Sequence, residues 1–183
     1  MFERFTKTAR IVVRDAVHIA EGERAAEVRP EHLLLSLLRQ DGTAATSILA
    51  QHAVTTASTQ AALATAHRRG GLSAADTAAL TELGIDVDAI VSAVEQAHGE
   101  GALEPARRRE TIGPRWRVDL SQDTKDVLAR TLKECLETGS RAISDEHVLL
   151  ALLTTGGVAA DVLTAHGVTR TAVLSALART ATA

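Results

Sequence analysis

The sequence predicts an all-α fold: a pseudo-twofold double repeat of a four-helix unit, with both copies sharing one core. Three observations carry that prediction. The segment EHLLLSLL at residues 31–38 returns as EHVLLALL at 146–153, and at this shift of 115 residues 9 of the 15 positions from Glu31 to Ala45 are identical. Hydrophobic residues make up 45% of the chain but aromatics only 2%, so the core must be built from Leu, Val, Ile and Ala; with only three prolines, that composition favours packed helices over sheets. Near the amino terminus, Phe2, Phe5, Ala9, Val12, Val13, Ala16 and Val17 follow the three-four spacing of a helix with one apolar face.

The elements follow in order. The first helices are expected over about 3–20 and 121–138, because Phe5, Val12, Val13 and Val17 fall on Leu120, Val127, Leu128 and Leu132 at the same shift. The second helices run over about 30–39 and 145–154, where Pro30 suits a first helical turn and Ser144 is a good N-cap. Gly42 and the pair Gly156–Gly157 then break the chain. Third helices are expected over about 43–52 and 158–166 and fourth helices over about 55–67 and 169–181; ILAQHAVT at 48–55 matches VLTAHGVT at 162–169. Between the copies, LGIDVDAIVSAV (83–94) resembles both HAVTTASTQAAL (52–63) and HGVTRTAVLSAL (166–177). It is either an additional helical hairpin or the fourth helix of the first copy displaced by an insertion. Residues 99–119 form a linker rich in Gly, Pro and Arg. The chain thus divides into a first repeat over 1–68, a helical insertion and Arg-rich linker over 69–118, and a second repeat over 119–183, the two repeats forming one domain. Leu34, Leu37, Leu38, Leu149, Leu152 and Leu153 are its expected core.

Bulk properties narrow the function classes. A net charge of −3 argues against a nucleic-acid binder. A single cysteine, Cys135, makes no internal disulfide and fits a reducing compartment as a small apolar residue. The amino terminus lacks an apolar signal core, and no apolar stretch approaches the roughly 18 residues of a membrane span; the expectation is a soluble, cytoplasmic protein. No Ser-His-acid or Cys-His grouping stands out. The three lysines, Lys7, Lys125 and Lys133, follow no GxxxxGKS/T loop, and the histidines form no HExxH spacing. The expectation is a binding module rather than an enzyme, with no cofactor and no metal.

Several residues have two readings. Glu31 and Glu146, in the first turn of the second helices, either stabilise the helix dipole or receive a cationic ligand. Thr6 and Ser121 are N-caps of the first helices or ligand-holding hydroxyls. His32 and His147 are expected at helix starts, bonded to nearby backbone. The run Arg107, Arg108, Arg109, Arg115, Trp116, Arg117 is a solvated linker or protein-docking strip, or else a nucleic-acid contact with the indole stacked on a base.

MFERFTKTAR, the paired EH-(L/V)-L-L-x-L-L segments and the glycine-alanine turns after them together resemble the Clp N-terminal domain. This is the double helical repeat at the front of bacterial Clp unfoldases, and the likeness is closest to the ClpC type. It covers about 2–68 and 119–181. It implies a module that recruits protein substrates and adaptors for a Clp ATPase ring, as an adaptor or as a decoy. It also implies two pockets for arginine-phosphorylated proteins. In each a glutamate takes the guanidinium and a hydroxyl near the first helix start helps hold the phosphate: Glu31 with Thr6, and Glu146 with Ser121. An apolar groove for cyclic peptide antibiotics would involve Phe2, Leu120 and Lys125. A carboxylate is the natural acceptor for a guanidinium fork, and amides at a helix start favour anions. Asp145 places a further negative charge beside the second pocket.

Overall fold

The computed structural model describes residues 4–106 and 118–180. Ten α-helices and one two-stranded sheet are found among them. In order these are α1 (Lys7–Gly22), β1 (Glu27–Val28), α2 (Pro30–Leu38), α3 (Ala44–Gln51), α4 (Thr56–Arg68), α5 (Ala74–Glu82), α6 (Val87–His98), β2 (Asp119–Leu120), α7 (Gln122–Glu137), α8 (Asp145–Thr155), α9 (Val158–Ala165) and α10 (Arg170–Thr180). Phe2 and the arginine-tryptophan run from Arg107 to Arg117 lie outside the described residues.

The local reasons for these elements are capping and glycine. The hydroxyls of Thr6 and Ser121 accept hydrogen bonds from the amides of Ala9 (3.2 Å) and Thr124 (3.2 Å), so α1 and α7 begin directly after them. This corrects the expected start of the first helix near residue 3. Phe5 keeps its apolar role, at 5% exposure, but its backbone is extended and bridges to Ile143. Gly156 and Gly157, at φ +82° and +84°, turn the chain between α8 and α9 in a region that strains any residue with a side chain.

The two copies do more than sit side by side. Each lends the strand ahead of its first helix to the other. Val28, just before α2, pairs in parallel with Leu120, just before α7, and Ile143, just before α8, bridges in parallel to Phe5, just before α1. The amide of Ser121 donates to the carbonyl of Val28 (2.9 Å) and that of Thr6 to the carbonyl of Ile143 (2.8 Å). A shift of 115 residues converts each pairing into the other. Helix packing obeys the same exchange: α4 rests on α2 and α9 as α10 rests on α8 and α3, and α2 and α8 meet at the pseudo-axis. The fourth helix of the first copy is therefore Thr56–Arg68, and α5–α6 is an additional hairpin.

Leu34, Leu37, Leu149 and Leu152 are buried, as the leucine stripe implies, while Leu38 and Leu153 are only partly buried at the edge of the core. Leu33, Leu35, Val148 and Leu150 are buried too. A single apolar face understates α2 and α8, which are enclosed all round by the other helices. A smaller cluster of Ile19, Leu35, Leu63 and Val162 ties α1, α2, α4 and α9.

The symmetry fails at one core position. Where the first copy has Ile19 in that cluster, the second has Glu134, whose side chain is fully buried. Its carboxylate accepts from Arg130 Nε (2.8 Å), Arg170 (2.9 Å) and the Thr154 hydroxyl (2.8 Å), joining α7, α8 and α10. Cys135 beside it is buried, its thiol donating to the carbonyl of Ser140 (3.2 Å).

Candidate functional site

Each EH segment is fixed by its histidine. His32 Nδ1 accepts from the amide of Arg29 (2.8 Å) and His147 Nδ1 from that of Ser144 (3.0 Å), which closes the first turn of α2 and of α8. With Nδ1 accepting, the ring proton sits on Nε2. It is donated to Glu23 Oε2 (3.2 Å) in one copy and to Thr138 Oγ1 (2.9 Å) in the other. Burial is the largest influence on both rings and pushes their pKa values down, against the pull of neighbouring carboxylates. These histidines are structural, as the sequence leads one to expect.

Glu31 is thereby held in the first turn of α2 at 7% exposure, beneath a cavity of about 230 Å³ lined by Glu23, Arg29, Leu35, Gln60, Leu63 and His67. Its Oε1 accepts from His67 Nε2 (3.0 Å) and lies 3.6 Å from Arg29 Nε. Burial opposes ionisation of this carboxyl. The hydrogen bond from His67, the bond to its own backbone and the charge of Arg29 outweigh it, and hold the pKa below the usual glutamate value. A buried carboxylate thus lies under an opening to solvent with two basic side chains against it. Neither helper is apparent in the sequence. His67 comes from the last turn of α4, 36 residues away, and Arg29 stands at the cap position ahead of Pro30.

The second copy is built differently. Glu146 is half-buried and accepts from the Ser144 hydroxyl, while no histidine reaches it from α10. Asp145 is buried, and its Oδ2 accepts from the amide of Ala45 (3.1 Å). Its charge is spent on capping α3 across the repeat boundary.

The hydroxyls fall on the opposite partners from those the 25-residue spacing suggests. The contact between His32 and Glu23 puts the start of α2 at the carboxyl end of α1. Thr6 lies at the other end, a 16-residue helix or about 24 Å away. Backbone pairing instead sets Thr6 beside Ile143, three residues before Glu146, and Ser121 beside Val28, three residues before Glu31. The pairings of Glu31 with Thr6 and of Glu146 with Ser121 are therefore corrected. The strand exchange sets Ser121 against the backbone three residues ahead of Glu31 and Thr6 against that three residues ahead of Glu146, while the cavity above Glu31 is lined by residues of the first copy. Ser121 is buried, and its hydroxyl also donates to Thr124 Oγ1 (3.0 Å); Thr6 is half-buried.

Of the groove residues, Leu120 is half-buried against the core and Lys125 is exposed on the first turns of α7; Phe2 lies outside the described residues. Among the described residues no three His, Cys, Asp or Glu side chains gather as a metal ion would require, and no single helix is long and apolar enough to cross a membrane.

The family profile described as the Clp repeat (R) N-terminal domain matches residues 4–75, 72–166 and 119–182. The N-terminal domain of Hsp104 from Candida albicans has a similar structure, with a TM-score of 0.54 at 14% identity, covering 95% of this chain and 89% of that one. A chain from a malarial protein secretion system gives 0.60 at 16% identity, covering 97% and 94%. The N-terminal domain of the chaperone ClpD from Arabidopsis thaliana gives 0.51 at 21% identity, covering 98% and 96%. At these identities the likeness establishes the fold. Uncharacterized proteins of Mycobacterium tuberculosis and Mycobacterium bovis are 29% identical over 152 residues, 83% of this chain. The aligned region is 44% of those relatives, so the chain spans less than half of their length.

Proposed function

The chain belongs to the Clp repeat N-terminal domain family, and on that premise we propose that it is a non-catalytic capture module that holds protein segments for a Clp chaperone-protease system. Arginine-phosphorylated proteins are the ligands its first recess suits best. The observation that carries this reading is the buried carboxylate of Glu31, held ionised under an open cavity by Arg29 and His67. A phosphoarginine side chain brings a guanidinium and a phosphate on one stem. The guanidinium takes the place of Arg29 and His67 on Glu31, and these two released groups, with the amides at the start of α2, receive the phosphate. An unmodified arginine would displace the same two groups and leave them unpaired, which favours the phosphorylated form.

The second recess lacks the histidine and keeps Glu146 partly solvated, so it is the weaker of the two. Capture of this kind serves equally to deliver a segment or to sequester it, and the same reading extends to Clp adaptors, a Clp ATPase and cyclic peptide antibiotics as partners.

Isothermal calorimetry with free phosphoarginine tests the assignment. We expect binding that Glu31→Ala weakens by about 30-fold or more, the cost of removing one partner of a desolvated charge pair, while Glu146→Ala has the smaller effect. Equal affinity in the wild type and Glu31→Ala would refute it.

A further inference from the structure

The insertion leaves the first copy directly after α4, the helix that supplies His67, and its far end returns to the same place. Past α6, Gly101 donates its amide to Glu95 Oε1 (3.2 Å), while the other oxygen of Glu95 holds Arg68 at the end of α4 (3.3 Å). Further on, the carbonyl of Ala106 accepts from the amide of Ala26, just ahead of β1 (3.2 Å). The segment 104–106 is thereby tied at both ends and forms a wall beside the Glu31 recess. It encloses a second cavity of about 240 Å³, lined by Glu23, Arg29 and His67 on one side and by Glu104, Pro105 and Ala106 on the other. Glu23, Arg29 and His67 also line the cavity over Glu31, so the two cavities adjoin around the same three side chains.

A phosphoarginine within a polypeptide brings its neighbours to the recess with it. On the capture reading above, on which this inference rests, Arg29 and His67 turn to the phosphate. The side chains left to a neighbouring residue are then the carboxylates of Glu23 and Glu104, which accept hydrogen bonds and donate none, and the apolar Pro105 and Ala106. The His32 ring that bonds Glu23 is neutral, so this bond does not cancel the carboxylate charge. Such a lining suits donors on an aliphatic stem and repels a carboxylate. We propose that the cavity between Glu23 and Glu104 is a second subsite of the Glu31 recess, built by the insertion. It takes the residue next to phosphoarginine in a captured segment and selects lysine or arginine there over an acidic residue.

The test is calorimetry on the full chain with free phosphoarginine and with blocked pentapeptides that carry phosphoarginine at the centre, flanked on both sides by lysine, alanine or glutamate. The lysine peptide is expected to bind about 10-fold or more tighter than the glutamate peptide, with the alanine peptide between them. Glu104→Gln should reduce that ratio about threefold or more. Ala106→Trp, at an exposed position, should fill the cavity and bring the three peptides to similar affinities. Free phosphoarginine should bind both variants as it binds the wild type, because neither residue lines the cavity over Glu31. Peptides of equal affinity, or a lysine preference that both variants retain, would overturn the subsite and leave capture at Glu31 standing. Weakened binding of free phosphoarginine in both variants would also overturn it, by making segment 104–106 a support of the first cavity. A wild-type chain that binds no free phosphoarginine would overturn the capture reading and the subsite with it.

Discussion

Replacing Leu37 by alanine is expected to cost about 2–5 kcal/mol of folding stability, a fall in Tm of about 4–20 °C for a chain of this size. Leu37 is fully buried on α2, the helix that contacts α1, α3, α4 and α9 and meets α8 at the pseudo-axis. Truncation leaves a cavity in the middle of the core, where neighbours from several helices must all move to close it, so little of the loss is recovered by relaxation. Leu38, one residue on, is partly buried at the edge, and Leu38→Ala should cost clearly less. Its position also lets solvent and mobile side chains fill the gap. Chemical denaturation of the two variants side by side checks the ordering. A Leu37→Ala variant as stable as the wild type would mean that α2 is not the central helix.

The second large effect is expected at Glu134. Glu134→Gln keeps the shape of the side chain but removes the charge that Arg130 and Arg170 address. Both arginines then share only Glu137, and the loss is expected to be about 2–3 kcal/mol at neutral pH. Glu137→Gln, at a side chain 46% exposed, should cost less than about 1 kcal/mol. The pH dependence follows from the carboxyl of Glu134. Burial opposes its ionisation, but hydrogen bonds from Arg170, Arg130 and Thr154 prevail and hold its pKa below the usual glutamate value. A group with a lowered folded pKa contributes stability that is complete above its unfolded value, near 4.5, and is lost as pH falls through the folded one. The gap between wild type and Glu134→Gln should therefore be full at pH 7 and close in acid. A gap that persists unchanged at low pH would assign the effect to packing.

Much of the fold is legible in the sequence because the repeat is written twice. One shift of 115 residues carries the caps Thr6 and Ser121, the leucine helices and the glycine turns, and local chemistry of this kind determines helix limits to within a few residues. What the sequence conceals is pairing across distance. Residue spacing joins Thr6 to Glu31 because they are neighbours in number, whereas the chain exchanges strands so that Thr6 lies beside Ile143 and Ser121 beside Val28 of the other copy. The same limit hides His67 and Arg29, which give the Glu31 recess its charge balance, since no local pattern ties a residue in α4 to one in α2. Glu134 escapes notice for the opposite reason: a glutamate on a helix with Arg130 four residues earlier reads as a surface pair, and only Arg170 and Thr154 closing over it make it a buried one. The insertion was open between two arrangements, and packing of α4 on α9 decides for an added hairpin.

The central claim is that Glu31, with Arg29 and His67 against it, is the receiving group for phosphoarginine, and a titration of the 15N-labelled chain with phosphoarginine tests it most directly. The account predicts that amide shifts at 29–32 move together with that of His67, and that they appear at lower ligand concentration than shifts at 144–147. Shifts confined to surfaces away from Glu31 and His67, or a spectrum unmoved at millimolar ligand, would contradict it.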